Sequence, residues 1–303
     1  MSTASATAAS GSTYVLGHND VEVQRLLLQG RLYNDYTEHA LMLAGLRPGM
    51  RVLDVGCGPG DVSIIAARLV GPTGNVLGVD AAPEMIQLAR ARASEQGLPA
   101  VHFKQAAIGA LALDEPVDAV VGRLILMHLP DPAATLRNLR SFVRPGGVIA
   151  FSENDITGAR SIPEMPLFRQ VTAAIAGAFE AMGLSPQFGT TLHTIFQDAG
   201  LGAPHLTVST PIGTAAETNI LAYAAEVWRL VYPIAQQMGF AIDELTDIDN
   251  FVPRFRQEAL AVNALITMPP IITAWAQVQE AETIDDRASG EHYHELPEPK
   301  EQT

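Results

Sequence analysis

The sequence predicts an α/β fold in which helices cover a largely parallel β-sheet and further helices are inserted where the strands end. Three observations favour this class. Short apolar runs alternate with helix-patterned segments from residue 51 onward, and a glycine-rich turn follows the first run. The chain has 303 residues and a hydrophobic fraction of 48%, which is enough to bury one large core.

The first half of the chain carries the regular alternation. Five apolar runs are predicted as strands over 51–55, 75–79, 101–105, 117–121 and 148–152. Helices are predicted over 62–70 and 83–96, and a third from Pro132, for which Asp131 is a suitable amino-terminal cap. This order predicts strands joined by crossover helices.

The regular alternation stops after the fifth strand. Apolar residues at three- and four-residue steps from Met165 to Met182 predict a helix, and another is predicted over 215–232, where Pro233 should interrupt or kink it. The remaining elements are helices over 191–199 and 248–262 and strands over 205–210 and 264–275, the last broken by Pro269-Pro270. We interpret 155–190 and 213–262 as lid insertions after strands 5 and 6 of one domain, 19–278.

The net charge, the cysteine content and the apolar runs limit the binding partners and the cellular compartment to be expected. With 19 basic and 33 acidic residues the net charge is −14, and no run of lysine or arginine occurs, so nucleic acid and membrane surfaces are not expected partners. Cys57 is the single cysteine, which rules out an internal disulfide. Because no stretch of about 18 apolar residues suggests a membrane span, the expected compartment is the cytoplasm.

The two ends differ in composition from the rest. Residues 1–18 are mostly small and polar, do not form a signal peptide, and are expected to be disordered. Residues 279–303 are acidic and are also expected to be disordered. His292 and His294 in this tail have a spacing that could bind a metal, but no clear further ligand accompanies them, so no metal site is predicted.

The segment VLDVGCGPGD, residues 52–61, is the most informative motif. Apolar residues typical of a buried strand lead into Gly56, Gly58 and Gly60 at alternate positions. Glycine lacks a Cβ, so the backbone can turn sharply and a ligand can lie against it. In the dinucleotide fingerprint G-x-G-x-x-G the third glycine comes one residue later. The spacing therefore favours another nucleotide-like ligand.

Together with the strand order, this motif resembles motif I of the class I methyltransferases that depend on S-adenosylmethionine (SAM). The resemblance covers about residues 30–205 and points to the group that contains the ubiquinone and menaquinone biosynthesis enzymes. It implies a Rossmann-like, seven-stranded, mostly parallel sheet whose final antiparallel strand is the run 264–275. It also implies SAM as the cofactor.

The resemblance assigns cofactor contacts residue by residue. Asp80 would accept both ribose hydroxyls, and Asp54 is the acidic neighbour of the loop under the methionine part. Ala106 stands where the family usually has an aspartate for the adenine amino group, so either Gln105 accepts that group or backbone and apolar contacts hold the ring. The complete set of expected cofactor-binding residues is Tyr33, Asp54, Gly56, Gly58, Gly60, Asp80, Ala81, Gln105, Ala106, Ala107 and Arg123.

Methyl transfer from a sulfonium mainly requires orientation of the acceptor, which can contribute about 7–11 kcal/mol. A base helps only when the acceptor is a hydroxyl or an acidic carbon. His128 is the first candidate base and Glu153 the second; the alternatives are a loop histidine bonded to backbone and a carboxylate that caps a helix. The expected substrate-pocket residues, which could equally belong to the core, are Tyr36, Phe168, Phe179, Trp228 and Tyr232.

The sequence thus predicts methyl transfer from SAM to oxygen, nitrogen or carbon of a small, largely apolar metabolite such as a natural-product intermediate. The oligomeric state stays open, with a homodimer as one option. Two alternatives keep SAM: an enzyme that catalyses a cyclisation or rearrangement without methylation, and a non-catalytic SAM-binding subunit. A nicotinamide dehydrogenase is a further alternative.

Overall fold

A computed structural model describes residues 20–239 and 243–279. The segment 1–18 and nearly all of the acidic tail, for which disorder is expected, lie outside these ranges, as do His292 and His294. None of the helices within the described ranges is both long and apolar enough to cross a membrane.

The centre of the molecule is a seven-stranded sheet, as the sequence predicts. Its strands are β1 Arg51–Val55, β2 Asn75–Asp80, β3 Val101–Gln105, β4 Val117–Arg123, β5 Val143–Asn154, β7 His205–Ser209 and β10 Ile271–Gln277. They are ordered β3-β2-β1-β4-β5-β10-β7. The pairs from β3 to β5 are parallel, and β10 runs antiparallel to both of its neighbours. The carboxyl ends of β1 to β5 consequently meet at one edge.

Helices cover both faces of this sheet and bury its apolar strands. These helices are α2 Asp61–Val70, α3 Pro83–Glu95, α4 Pro132–Arg140 and α6 Leu192–Asp198. The predicted cap of α4 is present, since the Asp131 side chain accepts a hydrogen bond from the Ala134 amide at 2.8 Å. Burial of β1 and β4 on both faces explains why their sequences are almost continuously apolar.

Four further helices form a layer with its own apolar core. They are α1 Asp20–Leu43, α5 Pro166–Ala181, α7 Thr218–Gln237 and α8 Phe251–Val262. Phe168, Trp228 and Phe255 lie at the centre of this core and are at most 1% exposed. Helices α5, α7 and α8 occupy the two segments that the sequence suggests as insertions. We call the four helices together the lid layer.

Two predicted elements differ from the structure. Helix α7 continues through Pro233 without the predicted interruption, and Val231 and Ala235 on either side of it are fully buried in the lid layer. The predicted strand 264–275 is broken at Pro269-Pro270 as expected, but its first part, β9 Leu265–Thr267, belongs to a different sheet from β10. Strand β9 pairs with β6 Arg160–Ile162 and β8 Ile212–Gly213 in a small antiparallel sheet. The latter two strands are too short for periodicity to reveal.

Candidate active site

A cavity of about 840 Å³ lies between the carboxyl edge of the main sheet and the lid layer. This volume is near the upper end of the range of about 300–1,000 Å³ for ligand pockets. Its wall combines the ends of five strands with residues from α1, α5 and α7. The expected cofactor-binding residues that line it are Gly56, Gly58, Asp80, Ala81, Ala106, Ala107 and Arg123. The sequence therefore locates one end of the cavity, which we call the glycine-loop end.

The three glycines of the loop have different structural roles. Each has a positive φ, between 50° and 87°. A Cβ on Gly58 would meet no atom within 4 Å, so this backbone lies open beside the cavity. A Cβ on Gly56 would come within 2.5 Å of Ile125, and one on Gly60 within 3.1 Å of Phe103. Gly60 does not line the cavity and serves packing, whereas Gly58 leaves room for a ligand.

Asp80 ends β2 and faces the cavity with a fixed carboxylate. Its Oδ2 accepts a hydrogen bond from the Gly58 amide and its Oδ1 accepts one from the Ala82 amide, both at 2.9 Å. An ionised carboxylate offers about four lone-pair sites, so each oxygen can still accept a second hydrogen bond. Two adjacent hydroxyl groups of a ligand are suitable donors for this pair.

Asp54 lies behind the loop and does not line the cavity, contrary to expectation. Its side chain is fully buried, and its Oδ2 accepts a hydrogen bond from the Ser63 hydroxyl at 2.6 Å. Oδ1 has no hydrogen-bond partner among the described residues. Burial raises the pKa of Asp54 to about 7, although the Ser63 bond acts in the opposite direction. This carboxyl can affect a ligand only through the loop.

The acidic group that reaches the cavity from this side is Asp61, which sequence reasoning missed. It is the first residue of α2, and both its oxygens accept hydrogen bonds from the Arg92 guanidinium, at 2.9 and 3.0 Å. Asn34 donates a third bond to Oδ1 at 3.0 Å. These bonds and the charge of Arg123 hold the pKa of Asp61 below its ordinary value despite burial. Its position directly after the third glycine was the available signal.

Arg123 joins this polar network from the end of β4. Its Nη1 donates to Asn34 Oδ1 at 3.0 Å and to Thr37 Oγ1 at 2.8 Å, both on α1. Burial lowers the pKa of Arg123, and the carboxylates of Asp61 and Asp54 oppose that effect. The guanidinium lines the cavity and is suited to a carboxylate of a ligand.

The wall after β3 is small and apolar. Ala106, Ala107 and Ile108 line the cavity, and the Ala106 amide donates to the Asp80 carbonyl at 2.9 Å. Gln105 is exposed and does not line the cavity; its Nε2 donates to the Ala81 carbonyl at 3.2 Å. Of the two options for the adenine, this arrangement favours apolar and backbone contacts over the Gln105 side chain.

The loop after β4 contributes a strained backbone to the wall. Leu124 has a φ of 55°, which is unusual for a branched residue. Glu153 supports the loop from β5, since its Oε1 accepts hydrogen bonds from the amides of Ile125 at 3.0 Å and Leu126 at 2.7 Å. Burial raises the pKa of Glu153 to about 8. Glu153 does not line the cavity, so the geometry favours a supporting role over direct contact with an acceptor.

His128 lies in the same loop and does line the cavity. Burial, with a smaller contribution from Arg25, lowers its pKa to about 4. The imidazole is therefore uncharged at neutral pH, and it can accept a proton from an acceptor only weakly. Of the two candidate bases, His128 is the one with access to a ligand.

The expected pocket aromatics divide between cavity and core. Phe179 lines the cavity. Phe168 packs edge-on against Phe255 at 5.7 Å, and Trp228 donates its indole N–H to the Leu245 carbonyl at 3.0 Å. The other two, Tyr36 and Tyr232, also lie outside the cavity wall. Tyr33, an expected cofactor-binding residue, does not line the cavity either, and its hydroxyl donates to the Pro269 carbonyl at 2.9 Å. The core alternative thus applies to most of this set.

Together, the residues at the glycine-loop end fit SAM. The open backbone at Gly58 leaves room for its methionine part, and the remaining acceptor sites of Asp80 suit its two ribose hydroxyls. The apolar wall at 106–108 suits its adenine ring, and the Arg123 guanidinium suits its carboxylate. No cluster of three or more histidine, cysteine or acidic side chains suited to a metal occurs within 20–239 and 243–279.

Comparison with known proteins agrees with this geometry. A family model described as a methyltransferase domain matches residues 46–200, half of the chain. An arsenite methyltransferase of Halobacterium salinarum is 32% identical over 165 residues, which cover 49% of this chain and 42% of that protein. A ubiquinone biosynthesis O-methyltransferase of Paracidovorax citrulli is 38% identical over 112 residues, 36% of this chain and 46% of that protein. The chain thus spans less than half the length of these relatives.

A solved structure extends the likeness beyond the matched segment. A putative methyltransferase from Bacillus halodurans superposes with a TM-score of 0.52 and is 14% identical, covering 81% of this chain and all of that chain. At this identity the likeness concerns the fold. It includes the seven-stranded sheet on which the cavity is built.

Proposed function

Since the chain belongs to the methyltransferase-domain family, we propose that it catalyses SAM-dependent methyl transfer to oxygen, nitrogen or carbon of a small, largely apolar metabolite. The observation that carries this proposal is the continuity of the cavity. One volume joins the loop and carboxylate that fit SAM to a second end walled by helices of the lid layer. We call the latter the lid end.

In this proposal the chain mainly binds and orients. SAM supplies a methyl group on a positively charged sulfur, which is already activated for transfer. Asp80 and the Gly58 backbone would hold the cofactor at the edge of the sheet. Arg123, which is itself held by hydrogen bonds to α1, would bind the carboxylate of the cofactor. Fixed orientation of donor and acceptor can contribute about 7–11 kcal/mol to the barrier reduction.

The lid layer excludes water and selects the acceptor. Ile175 and Phe179 of α5 and Val227 and Val231 of α7 give the lid end an apolar wall. Such a wall favours a hydrophobic acceptor frame. Because His128 lines the cavity, it would be the residue that holds or accepts a proton of the acceptor, whereas Glu153 would support the loop around it.

Arsenite is a less suitable acceptor, although one relative is named for it. Soft ions prefer several thiolate ligands, and this chain has Cys57 as its single cysteine. Cys57 is buried, and burial raises the pKa of its thiol. The ligand set for a thiophilic ion is therefore not supplied by cysteines of this chain.

The test uses the purified chain, SAM carrying a labelled methyl group, and a panel of phenols, amines and enolisable ketones. Label recovered in a product supports methyl transfer. Conversion of an acceptor without label would instead support a cyclisation or rearrangement, and SAM binding with no conversion would support a non-catalytic subunit. Calorimetric binding of NAD in place of SAM would overturn the proposal.

A further inference from the structure

The lid end contains one polar group whose orientation is fixed by its neighbours. Gln29 of α1 lines the cavity and is only 4% exposed. Its Oε1 accepts a hydrogen bond from Arg25 Nη1 at 2.6 Å and a long one from the Tyr223 hydroxyl at 3.5 Å. Because two donors hold the carbonyl oxygen, the amide nitrogen Nε2 takes the opposite side.

The Nε2 group is available to a ligand. Within the described ranges no residue accepts a hydrogen bond from it, and the side chain that carries it forms part of the cavity wall. A ligand oxygen next to this part of the wall would satisfy the amide donor, whereas an apolar ligand without an oxygen would leave it unsatisfied. This makes Gln29 a hydrogen-bond donor directed at whatever occupies the lid end.

The charges around Gln29 are compensated. Arg25 forms a bidentate pair with the buried Glu22, at 2.7 and 2.8 Å. Among the described lining residues the other charged side chains, Asp61, Asp80 and Arg123, belong to the glycine-loop end. An ionised acceptor at the lid end would lose its hydration and would meet only apolar walls and a charge pair that is already neutralised. Its desolvation cost would therefore not be compensated.

Gln29 and the polar network around Arg123 lie at different positions along α1. Asn34, which accepts a hydrogen bond from Arg123, lies five residues further along α1. Five residues correspond to about 7.5 Å along a helix axis. The hydrogen bond from Tyr223 of α7 places the Gln29 side chain among the helices of the lid layer, at the lid end of the cavity.

We propose that Gln29 is the specificity-determining donor of the acceptor site, and that the acceptor is an uncharged apolar molecule whose carbonyl, phenol or enol oxygen accepts from Nε2. This inference rests on the proposed function, since it names the substrate class of the same cavity. It predicts selection by an oxygen on an apolar frame and against charge.

The test measures equilibrium binding of four matched probes to the full chain saturated with S-adenosylhomocysteine. The probes are 2-naphthol, naphthalene, 2-naphthoate and 2-naphthylmethylammonium. Variants are Gln29→Leu, Gln29→Glu and the matched control Gln24→Leu, which alters an exposed glutamine of the same helix outside the cavity wall. Binding of S-adenosylhomocysteine is measured separately for every variant by calorimetry.

The proposal expects 2-naphthol to bind most tightly and both ionic probes at least 10-fold more weakly. Gln29→Leu should lower the affinity for 2-naphthol roughly 3- to 10-fold, towards that of naphthalene, and leave S-adenosylhomocysteine binding and Gln24→Leu unchanged. Gln29→Glu, which keeps the acceptor for Arg25 but lacks the donor, should show the same loss and serves if Gln29→Leu does not fold.

Three results would overturn the inference: equal or tighter binding of an ionic probe, a 2-naphthol preference that survives both substitutions, or no binding of any probe to a chain that binds S-adenosylhomocysteine. Failure to bind S-adenosylhomocysteine at all would refute the proposed function instead. The two failures are therefore distinguishable.

Discussion

Replacement of Glu153 by glutamine and by alanine should change stability in different ways. Glutamine keeps a carbonyl oxygen at the position of Oε1, which accepts from the Ile125 and Leu126 amides at 3.0 and 2.7 Å. Alanine leaves two buried donors unsatisfied, at about 1–3 kcal/mol each, so Glu153→Ala should lose about 2–6 kcal/mol. That is a large share of the roughly 5–15 kcal/mol by which proteins are stable.

The pH dependence follows from the raised pKa of Glu153, about 8 against an ordinary 4.5. Below pH 4.5 the carboxyl is protonated in both the folded and unfolded states and there is no penalty. Between pH 4.5 and 8 only the unfolded state ionises, so folded stability falls by about 1.4 kcal/mol per pH unit. The loss reaches about 3 kcal/mol at pH 7 and about 5 kcal/mol above pH 8. Glu153→Gln cannot ionise and escapes it.

The assay is urea unfolding of the wild type and both variants at pH 5, 7 and 8.5, with the free energy of unfolding compared pair by pair. We expect Glu153→Gln to gain on the wild type as pH rises and Glu153→Ala to be the least stable below pH 7. A difference between wild type and Glu153→Gln that is flat with pH would refute the buried, protonated state. Equal stability of the two variants at pH 5 would refute the supporting role of Oε1.

Three further predictions concern the cavity. Asp80→Asn should weaken SAM binding about 10- to 100-fold in calorimetry, because hydrogen bonds to a charged acceptor contribute roughly 1.5–3 kcal/mol. The control Asp114→Asn, at an exposed position, should leave SAM affinity unchanged. Equal SAM affinities of the wild type and Asp80→Asn would contradict the role assigned to Asp80. Gly58→Ala should reduce SAM affinity and lower the free energy of unfolding by only about 1–2 kcal/mol. Gly60→Ala, whose Cβ would lie 3.0–3.2 Å from Ala89 and Phe103, should lose more stability in thermal unfolding. A larger stability loss for Gly58→Ala than for Gly60→Ala would contradict these separate roles. Because the pKa of His128 is about 4, the pH profile of the methyl-transfer rate should have no step near pH 6.5 that can be assigned to His128. A step near pH 6.5 that is present in the wild type and absent in His128→Gln would show that the histidine is solvated in the working enzyme.

Local features of the chain made the glycine-loop end predictable. The turn at Gly56 and Gly58 and the carboxylate of Asp80 follow from residue spacing within one strand–helix–strand unit, so no long-range contact is needed to place them. Strands β1 and β4 were predictable for a different reason: both are buried on both faces, so their sequences are almost continuously apolar.

The lid end was not predictable in the same way. Periodicity identifies an apolar helix face, but Phe168 and Phe179 belong to the same helix and only Phe179 reaches the cavity. Both environments are apolar, so the pattern cannot separate them. Gln29 carries no sequence signal, since its orientation depends on Arg25 and on Tyr223, which is 194 residues away.

The hydrogen bond from Tyr33 to the Pro269 carbonyl spans 236 residues of chain. Met268 and Pro269, which precede β10, line the same cavity as Gln29 of α1. The entropic cost of closing a loop rises only slowly with its length, but folding rates fall as contacts become more distant in sequence. The cavity is thus assembled from the first and last described segments of the chain. During synthesis Met268 and Pro269 must therefore leave the ribosome before this wall of the cavity can close.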